Sequence, residues 1–341
     1  MKKIHMLSIL FLMAFSASFS FADERHDIII GNYKETHPQV EGSFYTLNEI
    51  GSVNDGLNNA YLVLTGQELH DKNNRINELL QNSPNMHIIL DVQEGDGLVE
   101  NASLSLGQNL VENIRKLTIL NIAQDVQIIG DDFLSRYIRL SDLDLTLLSQ
   151  VRRIGSYFLY GCNGLAHIDL PPSVTHIKDS FLEGCASLTR LDLIPLSQVI
   201  HIGACFLKDC TELIDLDLSP LRQVVQIGVL FLTNCSKLTN LDLSSLSQLT
   251  QIKQGFLLNC SGLTGLDLSA FRLVIQIEQI FLYGCTGFAG LGQLILPAYN
   301  PILKASLEVT FPQGTAIGDD IRENYTEGYR LPSKNTKNAQ N

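Results

Sequence analysis

The stretch CSKLTNLDLSSLSQLTQIKQGFLLN (235–259) recurs along the chain with little change in spacing. Its Phe256 belongs to a column of Phe133, Phe158, Phe181, Phe206, Phe231, Phe256 and Phe281, and a Leu follows each of them. Its Cys235 is in phase with Cys162, Cys185, Cys210, Cys260 and Cys285, and Tyr137 takes that place one turn earlier. Its Leu-Asp-Leu, centred on Asp242, repeats as Leu-Asp-Leu or Ile-Asp-Leu around Asp144, Asp169, Asp192, Asp217 and Asp267, with Asn121 read as the first of that series. Three columns in one phase over seven turns mean that each turn is a structural unit stacked on the next. Within a turn, Thr-Asn-Leu-Asp-Leu alternates and so predicts a strand, with Leu241 and Leu243 inside and Asn240 and Asp242 outside. A second extended stretch follows over 249–252. Phe256-Leu257 and Cys260 then close the turn by a tight bend or a single helical turn. The turn HIDLPPSVTHIKDSFLEGCASL (167–188) lacks two residues between its strands, where a neighbour carries SPLRQV (219–224). That change lengthens one loop and leaves the stacking phase intact.

One such turn cannot bury its own apolar face, so the core must form between turns. It should contain the Phe, Cys and strand-Leu columns together with Ile154, Ile177, Ile202, Ile227, Ile252 and Ile277. The order of strand, Pro, Val, Ile, aromatic and Cys in IDLPPSVTHIKDSFLEGCASL (168–188) resembles the BspA-like bacterial leucine-rich repeats. The resemblance covers about residues 117–297, some seven turns of 23–25 residues. It departs from the family in carrying Phe-Leu where Ala-Phe is usual. It implies an α/β solenoid: a right-handed superhelix with a parallel β-sheet on its concave face and short second strands or helical turns on the other side. It also implies an exported or surface protein that binds host proteins, other cells or matrix.

The flanks read differently. Lys2 and Lys3, the apolar stretch 6–19 and the small residues ending at Ala22 make residues 1–22 a Sec-type signal peptide, which points to a secreted, periplasmic or cell-surface protein. Residues 23–58 are polar and read as an irregular leader. Residues 59–116 read as a strand–helix cap or as further repeats, with strands in AYLVLTG (60–66) and MHIILDV (86–92) and helices over 68–82 and 105–117. Residues 298–332 break the period and read as a C-terminal cap, and 333–341 as a disordered tail.

The formal net charge of −12 argues against nucleic acid, which demands clustered Lys and Arg. No segment after the signal is long and apolar enough to span a membrane. No catalytic, metal or cofactor constellation stands out. Asp144, Asp169, Asp192, Asp217, Asp242 and Asp267 should form an exposed stripe of roughly 25 Å at a strand spacing of about 4.8 Å. It reads either as a docking face for a basic segment of a protein ligand or as a solvated column that keeps the face soluble. The variable column beside it, Asp142, His167, Arg190, Asp215 and Asn240, is the matching recognition candidate. The leading expectation is a non-enzymatic protein-binding scaffold, and the alternative is a structural or envelope-associated solenoid without a specific soluble ligand. Arg153, His176, His201, Gln226, Gln251 and Gln276 form another column. Two imidazoles without a third ligand make a poor metal site, so a Gln/His ladder is the better reading. The column cysteines should be free and buried, because stacked side chains point the same way and their Cβ vectors do not converge on a disulfide. Of the glycosylation sequons at Asn101, Asn234, Asn259 and Asn324, two adjoin the Cys column, which argues against their use.

Overall fold

A computed structural model describes residues 21–50, 60–93, 95–107, 111, 113–120, 125–288 and 294–295. The expected C-terminal cap, the tail, most of the signal peptide and Asn324 lie outside them. The chain coils into stacked turns, whose described strands form two long sheets and two short pairs, Gln251–Ile252 with Gln276–Ile277 and Leu266–Asp267 with Leu294–Ile295. The first sheet is parallel and takes Phe44–Tyr45, Tyr61–Thr65, His87–Asp91, Lys116–Leu120, Asp142–Asp144 and His167–Asp169 in that order. The second runs from Ser103–Leu104 through Ile128–Ile129, Arg153–Ile154, His176–Ile177 and His201–Ile202 to Gln226–Ile227, with Val99–Glu100 added antiparallel at one edge.

The core lies between the two sheets and is built from the expected columns. Phe133, Phe158, Phe181, Phe206, Phe231 and Phe256 are fully buried and stack with ring centroids 5.1–5.7 Å apart. At Phe281 the stack ends in a tilted contact of 6.1 Å. The invariant Leu after each Phe has a backbone reason. Leu134, Leu159, Leu182, Leu207, Leu232, Leu257 and Leu282 all sit at φ between 50° and 57°, the left-handed region that costs an L-residue about 1–2 kcal/mol. In that conformation the Leu N–H reaches back to the Phe carbonyl of the preceding turn, as Leu207 does to Phe181 and Leu232 to Phe206, both at 3.0 Å. The Leu carbonyl in turn accepts the thiol of the next turn: Cys162 donates to Leu134 at 3.0 Å, Cys185 to Leu159 at 3.3 Å and Cys210 to Leu182 at 3.2 Å. Phe, Leu and Cys therefore repeat together because each satisfies a group that the others leave open. All seven cysteines are free and the six of the column are buried. Burial pushes the Cys162 and Cys285 thiols up to about 12.

Four expectations change. Residues 23–58 are not irregular throughout, since Phe21–Thr36 form a helix, α1. Next, Gly66–Asp71 (α2) and Asn73–Asn82 (α3) supply the helical region expected over 68–82, and Thr65 and Glu68 close a capping box at the start of α2. The second expected helix, 105–117, is absent among the described residues. Leu106, Val111 and Ile114 there are buried, and the Tyr137 hydroxyl donates to Gly107 O and accepts from Val111 N. Tyr137 thus does for these two residues what a column cysteine does in later turns. The register also corrects the first-turn assignment, because Thr118, not Asn121, pairs with Asp144. Finally, the first sheet stops at His167–Asp169. The Leu-Asp-Leu segments around Asp192, Asp217 and Asp242 form no ladder with one another, and single bonds such as Ile214 N to Thr189 O link them. A 3₁₀ turn follows each of them at Ile194–Leu196, Ser219–Leu221 and Ser244–Leu246, while the ladder strand ending at Asp169 runs into Pro171 and Pro172 instead. The parallel pairing resumes only at Leu266–Asp267 with Leu294–Ile295.

Candidate functional site

The outer face of the first sheet, away from the core, carries the residues singled out by sequence. In register, Asp142 pairs with Lys116 and His167, and Asp144 with Thr118 and Asp169. The same columns continue toward the N-terminus as Tyr61 and His87, and as Val63 and Ile89. Val63 and Ile89 are fully buried although they point away from the core. What covers them is α1. Ile29 and Tyr33 form with Val63, Ile89 and Leu120 a second apolar cluster, separate from the main core.

Polar contacts fix α1 along this face. The Arg25 guanidinium forks onto two carboxylates, reaching Asp91 Oδ2 from Nη2 at 2.7 Å and Asp96 Oδ2 at 2.9 Å. Asp91 is fully buried, so its charge depends on such partners. His26 Nε2 lies 2.9 Å from Glu68 Oε2. Burial pushes the Glu68 carboxyl up, but His26 and the Thr65 N–H outweigh it and hold the group below the usual range. Tyr33 stacks on His37 at 4.3 Å and touches Phe44, Tyr61 and His87. Burial lowers His87 to about 4, so it is a neutral member of this aromatic cluster. At the end of the segment His37 Nε2 lies 3.2 Å from Asp144 Oδ2, the first residue of the Asp column. Sequence reading missed this contact set. Its signal was the unbroken apolar run in LVL (62–64) and IIL (88–90), which marks strands covered on both faces.

From Asp169 onward no described residue covers the face. Asp169, Asp192, Asp217, Asp242 and Asp267 are exposed, as are His167, Arg190, Asp215 and Asn240, while Asp142 and Asp144 are half-buried. Most of the Asp column has a folding role. Each of five carboxylates accepts the N–H two residues on: Asp144 from Thr146, Asp192 from Ile194, Asp217 from Ser219, Asp242 from Ser244 and Asp267 from Ser269, at 2.7–2.9 Å. These are Asx turns, which bend the chain out of the strand. Asp169 is the exception, because Pro171 has no N–H to give. Burial, together with Asp144, Asp142 and Asp192, pushes its carboxyl up against the opposing pull of His167, 3.8 Å away.

Among the described residues no group of three or more His, Cys, Asp or Glu is placed to hold a metal, and no helix is long and apolar enough to cross a membrane. The sequons at Asn234 and Asn259 are engaged in side-chain bonds, with Asn259 Nδ2 donating to Asn234 Oδ1 and Asn234 Nδ2 to Asp209.

Stacked parallel turns with two sheets and a through-running Phe column define a leucine-rich-repeat solenoid. Residues 99–189, 137–264 and 185–288 match the profile of the BspA type leucine rich repeat region, in six copies. These ranges together run from 99 to 288, more than half of the 341 residues, and the chain belongs to that family. The crystal structure of a T. pallidum leucine-rich-repeat protein is similar at 19% identity, with 64% of this chain and 92% of that one covered and a TM-score of 0.45. A leucine-rich repeat protein from Eubacterium ventriosum is similar at 17% identity, with 61% and 72% covered and a TM-score of 0.26. No curated protein matches the chain.

Proposed function

We propose that this chain is an exported, non-enzymatic scaffold that recognises another protein through the exposed face that begins at the end of the first sheet and continues over the later Leu-Asp-Leu segments, read as the concave side of the solenoid. The observation that carries the reading is the division of that face among the described residues: α1 closes it as far as Asp144, and from His167 and Asp169 onward the side chains are exposed. The open part presents the acidic residues Asp169, Asp192, Asp215, Asp217, Asp242 and Asp267 around Arg190 and Asn240. A basic segment of a host or cell-surface protein suits it, and His37 on Asp144 is an intramolecular example of such a contact. Leucine-rich repeats generally bind proteins, and the BspA-type repeats are typically found in surface or secreted bacterial proteins. Lys2, Lys3 and the apolar stretch 6–19 favour export in the same direction.

The test replaces Asp192, Asp217 and Asp242 by Asn together. Asn keeps an oxygen for each Asx turn, so the fold is retained while three charges go. Binding of Lys/Arg-rich peptides and of extracellular host proteins is then compared with wild type at low salt. The expected result is at least a tenfold loss of affinity. Equal affinity, or self-association as the sole interaction of the wild type, favours the structural-solenoid alternative instead.

A further inference from the structure

The second sheet carries a different surface from the first. Its outward column reads Ser103, Ile128, Arg153, His176 and His201, one residue per strand. Ser103 is registered on Ile128, Ile128 on Arg153, and Arg153 on His176, and the pairing of Ile177 with Ile202 sets His176 beside His201. Two residues further along the strands the column becomes Gly130, Gly155 and Lys178. The two glycines have no side chain to fill the surface. A Cβ at Gly155 would lie 2.6 Å from the Asp131 backbone N, so the floor cannot be raised without moving backbone. The result is a trough of about 460 Å³, with Arg153, His176 and His201 on one side and Asp131 and Lys178 on the other.

The charge of this trough opposes that of the chain. Against a net charge of −12 it gathers Arg153, Lys178 and two imidazoles around one carboxylate. That carboxylate is already committed, since Asp131 Oδ1 accepts from Lys178 Nζ at 3.2 Å and from Ser156 N at 2.8 Å. Arg153 has its five N–H donors on an exposed strand position. The Thr175 hydroxyl lies 3.0 Å from Arg152 O and 2.9 Å from Nδ1 of His176, so that ring nitrogen is engaged. Nε2 is then the atom of that ring turned free for a ligand, and it donates when the ring is protonated.

We propose that this trough on the second sheet binds the oxyanion groups of an extended acidic polysaccharide, with Arg153, His176 and His201 contacting successive anionic groups. Arg153 supplies the fixed charge and a fork that matches sulfate or carboxylate geometry. The imidazoles add donors one strand apart, at about 4.8 Å, a spacing comparable to one sugar unit in a chain. A free anion fits the same donors but fills only one of these positions. The groups facing His176 are Arg153 on the preceding strand, His201 on the following one, Lys178 two residues on and Asp131 across the trough. Two of the four are fixed cations and one is a carboxylate held by Lys178. A bound oxyanion therefore adds negative charge to a trough whose own carboxylate is already held by Lys178.

Full-length protein would be titrated with dextran sulfate, uncharged dextran and inorganic sulfate. Dextran sulfate should bind, at least tenfold more tightly than inorganic sulfate, while uncharged dextran should not bind. Arg153→Gln should weaken dextran sulfate at least tenfold, and His176→Gln with His201→Gln should weaken it at least threefold. These side chains are exposed, and an unchanged urea midpoint checks the fold of each variant. Arg190→Gln, on the exposed face beyond the end of the first sheet, should leave the affinity unchanged. The site is overturned if Arg153→Gln binds like wild type, or if Arg190→Gln weakens binding as much. Equal affinity for inorganic and dextran sulfate overturns the extended ligand. The Asp192, Asp217 and Asp242 variant should bind dextran sulfate no more weakly than wild type, so this site and the protein-binding face fail or stand separately.

Discussion

The N-terminal strands and the later turns use one repeat phase to solve two different burial problems. Val63 and Ile89 occupy the column that becomes Asp144, Asp169 and Asp192 further on. In the early strands that column is covered by α1, and an apolar side chain gains by leaving water, about 1.5–3 kcal/mol when fully buried. In the later turns no described residue covers it, and a carboxylate both tolerates water and bends the chain through an Asx turn. The pairing differs too. Early strands of five residues form full parallel ladders, whereas the later Leu-Asp-Leu segments rely on the second sheet and on the Phe–Leu–Cys layer for their turn-to-turn bonds. Whether a position folds or recognises thus depends on what lies over it, not on its phase in the repeat.

The largest effect that separates the two regions is alkaline. All seven cysteines lie at 162 or beyond, and none lies in the early strands. Burial raises the column thiols, so the folded state holds them neutral while the unfolded chain ionises them near pH 9. A folded pKa above the unfolded one means stability that is complete below pH 9 and is lost as pH rises toward 12. Each thiol should give up roughly 1.4 kcal/mol per pH unit within that window, and the six act together. Urea midpoints measured at pH 8 and pH 10 should therefore fall steeply. Replacing Cys210 and Cys235 by Val should recover part of the loss at pH 10, and a midpoint flat to pH 10 would show that the thiols are not held neutral.

Moving the later solution into the early strands should be nearly as damaging. Ile89→Asp places an unpaired carboxylate beneath Ile29 and Tyr33, and the expected cost is about 3–5 kcal/mol. The reverse change, Asp217→Ile, removes one Asx bond on an open face and should cost no more than about 1 kcal/mol. Equal losses in the two variants would mean that α1 does not shield the early column.

Arg25→Ala tests the attachment of α1 itself. It leaves Asp91 buried with its fork gone, at an expected cost of about 2–3 kcal/mol. The loss should fall on α1 locally, read as faster amide exchange at Ile29 and Tyr33 while Phe206 and its neighbours remain protected.

Much of this architecture was legible because a repeat states each constraint many times. The Phe, Leu, Cys and Ile columns and the second extended stretch of each turn followed from spacing, whereas the strand expected over Thr-Asn-Leu-Asp-Leu forms no ladder in the turns around Asp192, Asp217 and Asp242. Single features were harder. α1 has few apolar residues, and Ile29 and Tyr33 four apart are a weak signal until Val63 and Ile89 are recognised as an uncovered apolar pair. The helix expected over 105–117 had suitable spacing, yet the Tyr137 hydroxyl competes for the backbone groups of 107 and 111. The candidate face was legible as a set of columns, but its Asp residues looked like a docking stripe because the i+2 N–H that each accepts is invisible in a list of residue types.

That point gives the smallest and most discriminating prediction. If the Asp column exists chiefly to form Asx turns, the side-chain oxygen matters and the charge does not. Asp217→Asn should then leave the urea midpoint almost unchanged, while Asp217→Ala, which cannot accept from Ser219 N, should cost about 0.5–1 kcal/mol. Asp169 supplies the internal control. Pro171 offers it no N–H, and its neighbours Asp144, Asp142 and Asp192 push its carboxyl up. Its raised pKa is a liability of the folded state that grows as pH rises above the ordinary carboxylate range. Asp169→Asn should therefore be neutral or slightly stabilising at pH 7, and less so at pH 4. A loss on Asp217→Asn equal to that on Asp217→Ala would mean that charge is needed at that position, and the open face would have to be read as electrostatic from the start.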